Sequence, residues 1–184
     1  MEGSRGLGDV YKRQGLAYVP EERMRDGAIG EFTVAENLML VDYVAPPFTQ
    51  RGLLNATAIE QRSGELIDGY GVKTPTMHTP TRHLSGGNIQ KVVIAREFSS
   101  SSDALVVAQP TRGVDIGAAE YIHERLLEQR SSGSAILLIS EDLDEIMQLS
   151  DRIIVVLEGE IMGEVSRADA TVKGIGLLMT GVTE

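Results

Sequence analysis

Leu84-Ser85-Gly86-Gly87-Asn88-Ile89-Gln90-Lys91 is the stretch on which the reading turns. A serine and two glycines stand directly before a helix-compatible run, Asn88–Phe98. Such a junction presents backbone amides that have no partner within the helix, and the helix dipole favours negative charge in front of them. Glycine carries no Cβ, so an anion can approach those amides closely. The Ser85 hydroxyl is placed to add a hydrogen bond to a phosphate oxygen. Alone, the segment is equally compatible with a plain capped loop, and its surroundings must decide.

Downstream, the pattern alternates. A strand, Ala104–Ala108, leads through Gln109-Pro110-Thr111-Arg112-Gly113-Val114-Asp115 to a helix over Ala118–Arg130, with Gly133 as its stop. A strand over Ala135–Ser140, a helix over Asp142–Leu149, a hairpin of Arg152–Leu157 with Glu160–Val165, and a helix over about Ala168–Met179 follow. Apolar strands between amphipathic helices predict an α/β fold whose parallel sheet is covered on both faces. Upstream, Gly15–Val19 reads as a strand stopped by Pro20, followed by a charged turn, Glu21–Gly27. Thr33 and Glu36 form a capping-box pair, and Asn55 caps a helix running to about Tyr70. The expected divisions are an unmatched, artefactual tail at 1–14, a helical region at 15–83 and a sheet core at 84–184.

Composition narrows the function classes. In 184 residues, 17 Lys and Arg face 27 Asp and Glu, for a formal net charge of −10. That excess argues against a nucleic-acid partner, since phosphate-backbone binders concentrate cations. The chain has no cysteine, which excludes a disulfide scaffold, a thiolate zinc site and a thiol catalyst. Its apolar runs fall far short of the ~20 residues of a membrane helix, and no signal pattern opens it.

In order and spacing these segments resemble the ATP-binding-cassette family. Leu84, Ser85, Gly86, Gly87 and Asn88, with Gln90 beyond them, match the signature loop. Ala104–Gln109 matches the Walker B strand, Asp115 lies in the D-loop, and Ile136–Glu141 matches the switch strand. Tyr18–Arg23 and Phe32–Leu38 look like the Q-loop region and the start of the helical subdomain. The likeness runs from Gly15 to about Gly181. It is nearest to the second cassette of the tandem ATP-binding subunits of bacterial sugar and nucleoside importers. Ala108–Gly113 and Leu143–Ile146 point to the nucleoside, basic-membrane-lipoprotein-associated, branch.

Against the family pattern there are departures. No P-loop string, G-x-x-x-x-G-K-[ST], occurs in the chain, so Gly15 is expected to begin partway through a P-loop NTPase-like cassette. Loss of that strand would leave a gap and an exposed edge in the sheet. The Walker B Asp and Glu are replaced by Ala108 and Gln109, the switch His by Glu141 and the Q-loop Gln by Glu21. Alanine offers no oxygen to Mg²⁺, and glutamine cannot accept a proton from water at neutral pH.

The resemblance implies an ATPase subunit using ATP and Mg²⁺ when complete, with this fragment inactive alone. It implies a facing cassette of the same subunit, to whose ATP this signature loop is applied, membrane-embedded permease subunits, and indirectly a solute-binding protein. It places the chain on the cytoplasmic side of the membrane, peripheral to it. The chain's own site is expected to be degenerate, with no catalytic residue and no metal ligand intact. Two rivals stand beside this reading: a non-enzymatic module that keeps the fold for docking, and a cassette ATPase of DNA maintenance. The second predicts heptad arms, zinc cysteines or a basic face, none of which the sequence has.

Overall fold

Short aliphatic runs bounded by turn residues form the central sheet. They are Leu16–Val19 (β1), Ala104–Ala108 (β4) and Ala135–Ile139 (β5), all parallel, in the order β1-β4-β5. The computed structural model describes residues 15–100 and 102–182. These divide into two units between Ile139 and Ser140, so the expected tail at 1–14 lies outside the described residues. The pairing register puts Ala17 beside Leu105 and Val19 beside Val107, all buried.

The other face differs from the two-sided cover expected of these strands. Tyr18, Val106 and Leu137 stand in one row across it, and Tyr18 and Leu137 are 48% and 57% exposed. Helix Gly86–Phe98 (α3) packs on β1. Among the described residues of the unit that ends at Ile139, the row through Tyr18 and Leu137 has no comparable layer. The apolar character of the strands was therefore legible, but it did not reveal which face this chain covers with its own residues.

Between β1 and α3 lies a helical region. Val34–Met39 (α1) begins with the expected capping box: Thr33 Oγ1 accepts the Glu36 amide at 3.2 Å and Glu36 Oε2 accepts the Thr33 amide at 2.8 Å. A two-residue hairpin, Thr49–Gln50 (β2) with Leu53–Leu54 (β3), precedes Ala56–Gly69 (α2), whose cap Asn55 accepts the Ala58 amide. Neither the hairpin nor a π-helical turn over Arg23–Gly27 is apparent from periodicity. Val34, Leu38, Met39, Leu66, Val72, Val92 and Ala95 form the core between α1, α2 and α3.

A buried polar network pins this core to the segments around Gly27, Ile29 and Thr81. Asn37, fully buried, accepts the Ile29 amide at 2.8 Å and donates to Thr81 Oγ1 at 2.8 Å and to the Ile29 carbonyl at 2.9 Å. Arg96 pairs through Nε with Glu97 at 2.8 Å and donates through Nη2 to the Gly27 carbonyl at 2.7 Å. Helix Ile116–Ser131 (α4), capped by Asp115, adds an aromatic–cation joint. Lys91 Nζ lies 4.4 Å from the Tyr121 ring centre, and the Arg125 guanidinium lies over both Tyr121 and Tyr70. Burial pushes both phenols above their usual range.

The second unit holds Leu143–Leu149 (α5), the antiparallel pair Arg152–Leu157 (β6) and Glu160–Ser166 (β7), and Val172–Met179 (α6). Ile153, Val155, Ala170 and Ile175 make its core, and Leu178 closes on Gly163. No helix among the described residues is long and apolar enough to cross a membrane.

Candidate functional site

Ser85 is exposed and sits at the N-cap of α3 with extended backbone, but its side chain caps no amide of the first turn. Its hydroxyl is held from the other side. Asn88 Nδ2 donates to Ser85 Oγ at 2.9 Å, while Asn88 Oδ1 accepts the Lys73 amide at 2.8 Å. A backbone amide is an obligatory donor, so the Lys73 contact fixes which end of the Asn88 amide faces Ser85. The Ser85 oxygen thus accepts a hydrogen bond, and its own proton is not used in that contact. A hydroxyl in that state can donate to an incoming acceptor such as a phosphate oxygen.

The two glycines carry a packing constraint that the sequence did not reveal. A Cβ on Gly87 would meet the Ala118 Cβ at 3.2 Å, and one on Gly86 would meet Arg23 Nη2 at 2.7 Å. Small size here serves the close approach of neighbouring segments as well as that of an anion. Leu84 is half-buried beside the core, Ile89 is buried, and Gln90, at 2% exposed, is held inside the unit rather than at the open turn.

Asp115 lies beside this turn. Its Oδ1 caps α4 by accepting the Ala118 amide at 2.9 Å, and its Oδ2 stands 3.5 Å from where a Gly87 Cβ would be. The structure therefore brings Ser85–Asn88 and Asp115 together. At the end of β4, Ala108 is buried and offers only a methyl group. Gln109 takes a left-handed backbone, φ 47°, and its amide donates to the Ile139 carbonyl at 2.7 Å.

This donor set does not fit Mg²⁺, because the position that follows the strand supplies one amide side chain and no carboxylate. Among the described residues no group of three or more acidic, His or Cys side chains is arranged for a metal. Left-handed backbone is costly for any residue with a Cβ and worst for a β-branched one. Gln109→Val is accordingly expected to lower stability by about 1–2 kcal/mol, read as a lower urea midpoint for this chain.

Glu21 is exposed and forms an ion pair with Arg112. In the same turn, the Arg25 guanidinium hydrogen-bonds Asp26 and holds that carboxyl below its usual range. Glu141 belongs to the second unit, where it is exposed and directly precedes Asp142, the cap of α5. Sequence reasoning missed Arg23, which donates to the carbonyls of Arg112 and Gly113. The partners are 89 and 90 positions away, and no local spacing announces such a contact.

One other concavity competes for attention. About 400 Å³ in volume, it is lined by residues that include Phe98, Ser102, Asp103, Gln129 and Ser134. It lies where β4 and β5 begin. Open α/β sheets bind ligands beyond the carboxyl ends of their strands, which favours the end carrying Ala108 and Gln109.

Comparison with known proteins finds relatives over most of the chain. No family model matches the chain. The guanosine import ATP-binding protein NupO of Bacillus subtilis is 43% identical over 170 residues, which cover 92% of this chain and 33% of that protein. The nucleoside import ATP-binding protein NupA of Lactococcus lactis is 46% identical over 168 residues, 91% of this chain and 33% of its own length. The ribose import ATP-binding protein RbsA of B. subtilis is 38% identical over 169 residues, 92% of this chain and 34% of its own. The chain thus spans about a third of the length of the curated relatives it matches. Among solved structures, an ATP-binding cassette in a dimeric post-hydrolysis state with ADP and Pi superposes with TM-score 0.71 at 23% identity, over 88% of this chain and 66% of that one. Sequence and architecture converge: the chain is a homologue of the nucleoside and sugar import ATP-binding proteins and carries the fold of an ATP-binding cassette.

Proposed function

We propose that this chain acts as part of an ATP-binding subunit that energises import of nucleosides or simple sugars. Its contribution is the loop Leu84–Asn88, presented to ATP held by a facing cassette. The observation that carries the reading is the Ser85 hydroxyl. Asn88 donates to its oxygen, so its own proton is not used in that bond, and it stands beside the N-terminal amides of a 13-residue helix. Amides, dipole and hydroxyl together supply hydrogen-bond donors and partial positive charge to an anion without a formal cation. Gln90, buried behind the turn, supports it by packing, and Asp115 fixes the start of α4 beside Gly87.

The chain's own nucleotide position is degenerate in this reading. Ala108 gives no oxygen, Gln109 cannot serve as a base, Glu21 is engaged by Arg112, and the residue at the switch position in sequence is Glu141, a carboxylate rather than a histidine. ATP and Mg²⁺ then act at the facing cassette. Closure on ATP and parting after hydrolysis would drive permease subunits, which receive solute from a binding protein. The turn 21–27 and the helices before Lys73 are the side that meets the permease, so the subunit works peripherally at the cytoplasmic face.

The test compares two lengths of protein. In a calorimetric titration the chain alone is expected to show no Mg²⁺-dependent ATP binding at micromolar concentration, whereas the complete subunit binds and hydrolyses ATP. Micromolar binding by the chain alone would overturn the assignment of the nucleotide grip to the facing cassette.

A further inference from the structure

The Arg23 guanidinium joins three segments that are remote in sequence. Nη1 donates to the Arg112 carbonyl at 2.6 Å and Nη2 to the Gly113 carbonyl at 3.1 Å. The same Nη2 fills the space that a side chain on Gly86 would need, 2.7 Å from that Cβ position. It also stands 3.3 Å from the equivalent position on Gly113, whose backbone is left-handed at φ 65°. Two residues before Arg23, Glu21 holds the Arg112 side chain in an ion pair. The turn 21–27 therefore grips the 109–115 loop by both its backbone and a side chain. Its guanidinium also rests against the first residue of α3.

We propose that Arg23 is a positioning residue that sets the spacing between the Ser85–Gly87 turn and the 109–115 loop. Any displacement of the turn 21–27 is thereby passed to both. This rests on the reading that Ser85–Gly87 faces nucleotide. Guanidinium is suited to the task because its planar fork meets two successive carbonyls in fixed geometry, with charge-assisted hydrogen bonds. An ammonium is a point donor on a flexible stem and cannot define that geometry as well. The absent Cβ of Gly86 makes room for the fork, so arginine and glycine form one device.

The experiment uses the complete subunit assembled with its partners, and four variants: Arg23→Ala, Arg23→Lys, Gly86→Ala and the double Arg23→Ala/Gly86→Ala. Misplacement of a reacting group by about 1 Å can cost ~100-fold, so Arg23→Ala is expected to lower kcat by about 10- to 100-fold. KM for ATP should stay within about twofold, because ATP is held by the facing cassette in this reading. Arg23→Lys should recover part of the loss. Gly86→Ala alone should be as damaging as Arg23→Ala, and the double variant no worse than Gly86→Ala, since removing the guanidinium takes away the nearest obstacle to the methyl group and leaves the Gly113 carbonyl at 3.3 Å.

Losses that multiply independently in the double variant would overturn the proposal, as would an unchanged kcat in Arg23→Ala. A role confined to folding would lower the amount of active protein while leaving kcat per active site intact, and that result also overturns it. If Arg23→Ala fails to fold, Arg23→Lys and Gly86→Ala carry the test, and unchanged kcat in both is the refuting result. Ser85→Arg is run alongside. Full turnover in Ser85→Arg would refute the nucleotide-facing reading itself, whereas lost turnover in Ser85→Arg with normal Arg23 variants refutes only the positioning role.

Discussion

Ser85→Arg in the complete subunit is expected to lower ATP turnover by about 100-fold or more, while Gln109→Ala leaves it within about twofold. The substitution removes the hydroxyl that Asn88 orients at 2.9 Å and fills the open mouth of the turn with a long side chain. Loss of one preorganised donor to a developing anion costs about 100- to 1000-fold in comparable sites, and steric obstruction adds to it. Ser85 is exposed and caps nothing, so the fold should tolerate the change. In the proposed reading Gln109 stands where a proton-accepting carboxylate would act, and an amide cannot accept that proton, so truncating it removes little more. Measuring kcat and KM of both variants ranks the two sites. Strong inactivation by Gln109→Ala with near-normal Ser85→Arg would reverse the assignment and place the working chemistry in this chain's own half.

Arg96→Ala is expected to destabilise the chain by about 3–5 kcal/mol. Arg96 and Glu97 are 6% and 2% exposed and pair at 2.8 Å, so the pair sits where solvent cannot replace a lost partner. The substitution also takes a donor from the Gly27 carbonyl at 2.7 Å and one from the Asn37 carbonyl at 3.4 Å. Those bonds tie the end of the turn 23–27 and the helix α1 to α3. Typical domains are stable by only about 5–15 kcal/mol, so the variant should lose a large part of its folding free energy. Equilibrium urea unfolding gives the number, and a change below about 1 kcal/mol would mean that water compensates the pair. Arg96→Lys should fall between, because it keeps a charge but loses the fork.

Local chemistry made most elements readable. The capping box of Thr33 and Glu36, the Asn55 cap and the stop at Gly133 act within a few residues, and the structure places each where the pattern put it. The order of strands and helices around Ser85–Gly87 carried the fold for the same reason. The expectation that failed concerned the sheet faces, because the alternation in β5 does not say whether Leu137 is covered. The site was half legible. The Ser-Gly-Gly turn announced itself, but the contacts that shape it come from Lys73, Arg23 and Ala118, which only the fold brings near. Asn37 was likewise silent in the sequence, since a polar residue at a helical position gives no sign of being fully buried.

The joint of Tyr70, Lys91, Tyr121 and Arg125 has an optical consequence. The chain contains five tyrosines and no tryptophan. Ultraviolet emission therefore arises from phenol rings alone, without energy transfer to an indole that would mask it. Two of those rings lie under the Arg125 guanidinium where α2 ends and α4 passes. Their emission and their late ionisation in alkali make this junction a built-in reporter, able to register loosening of the helices against one another with no dye attached.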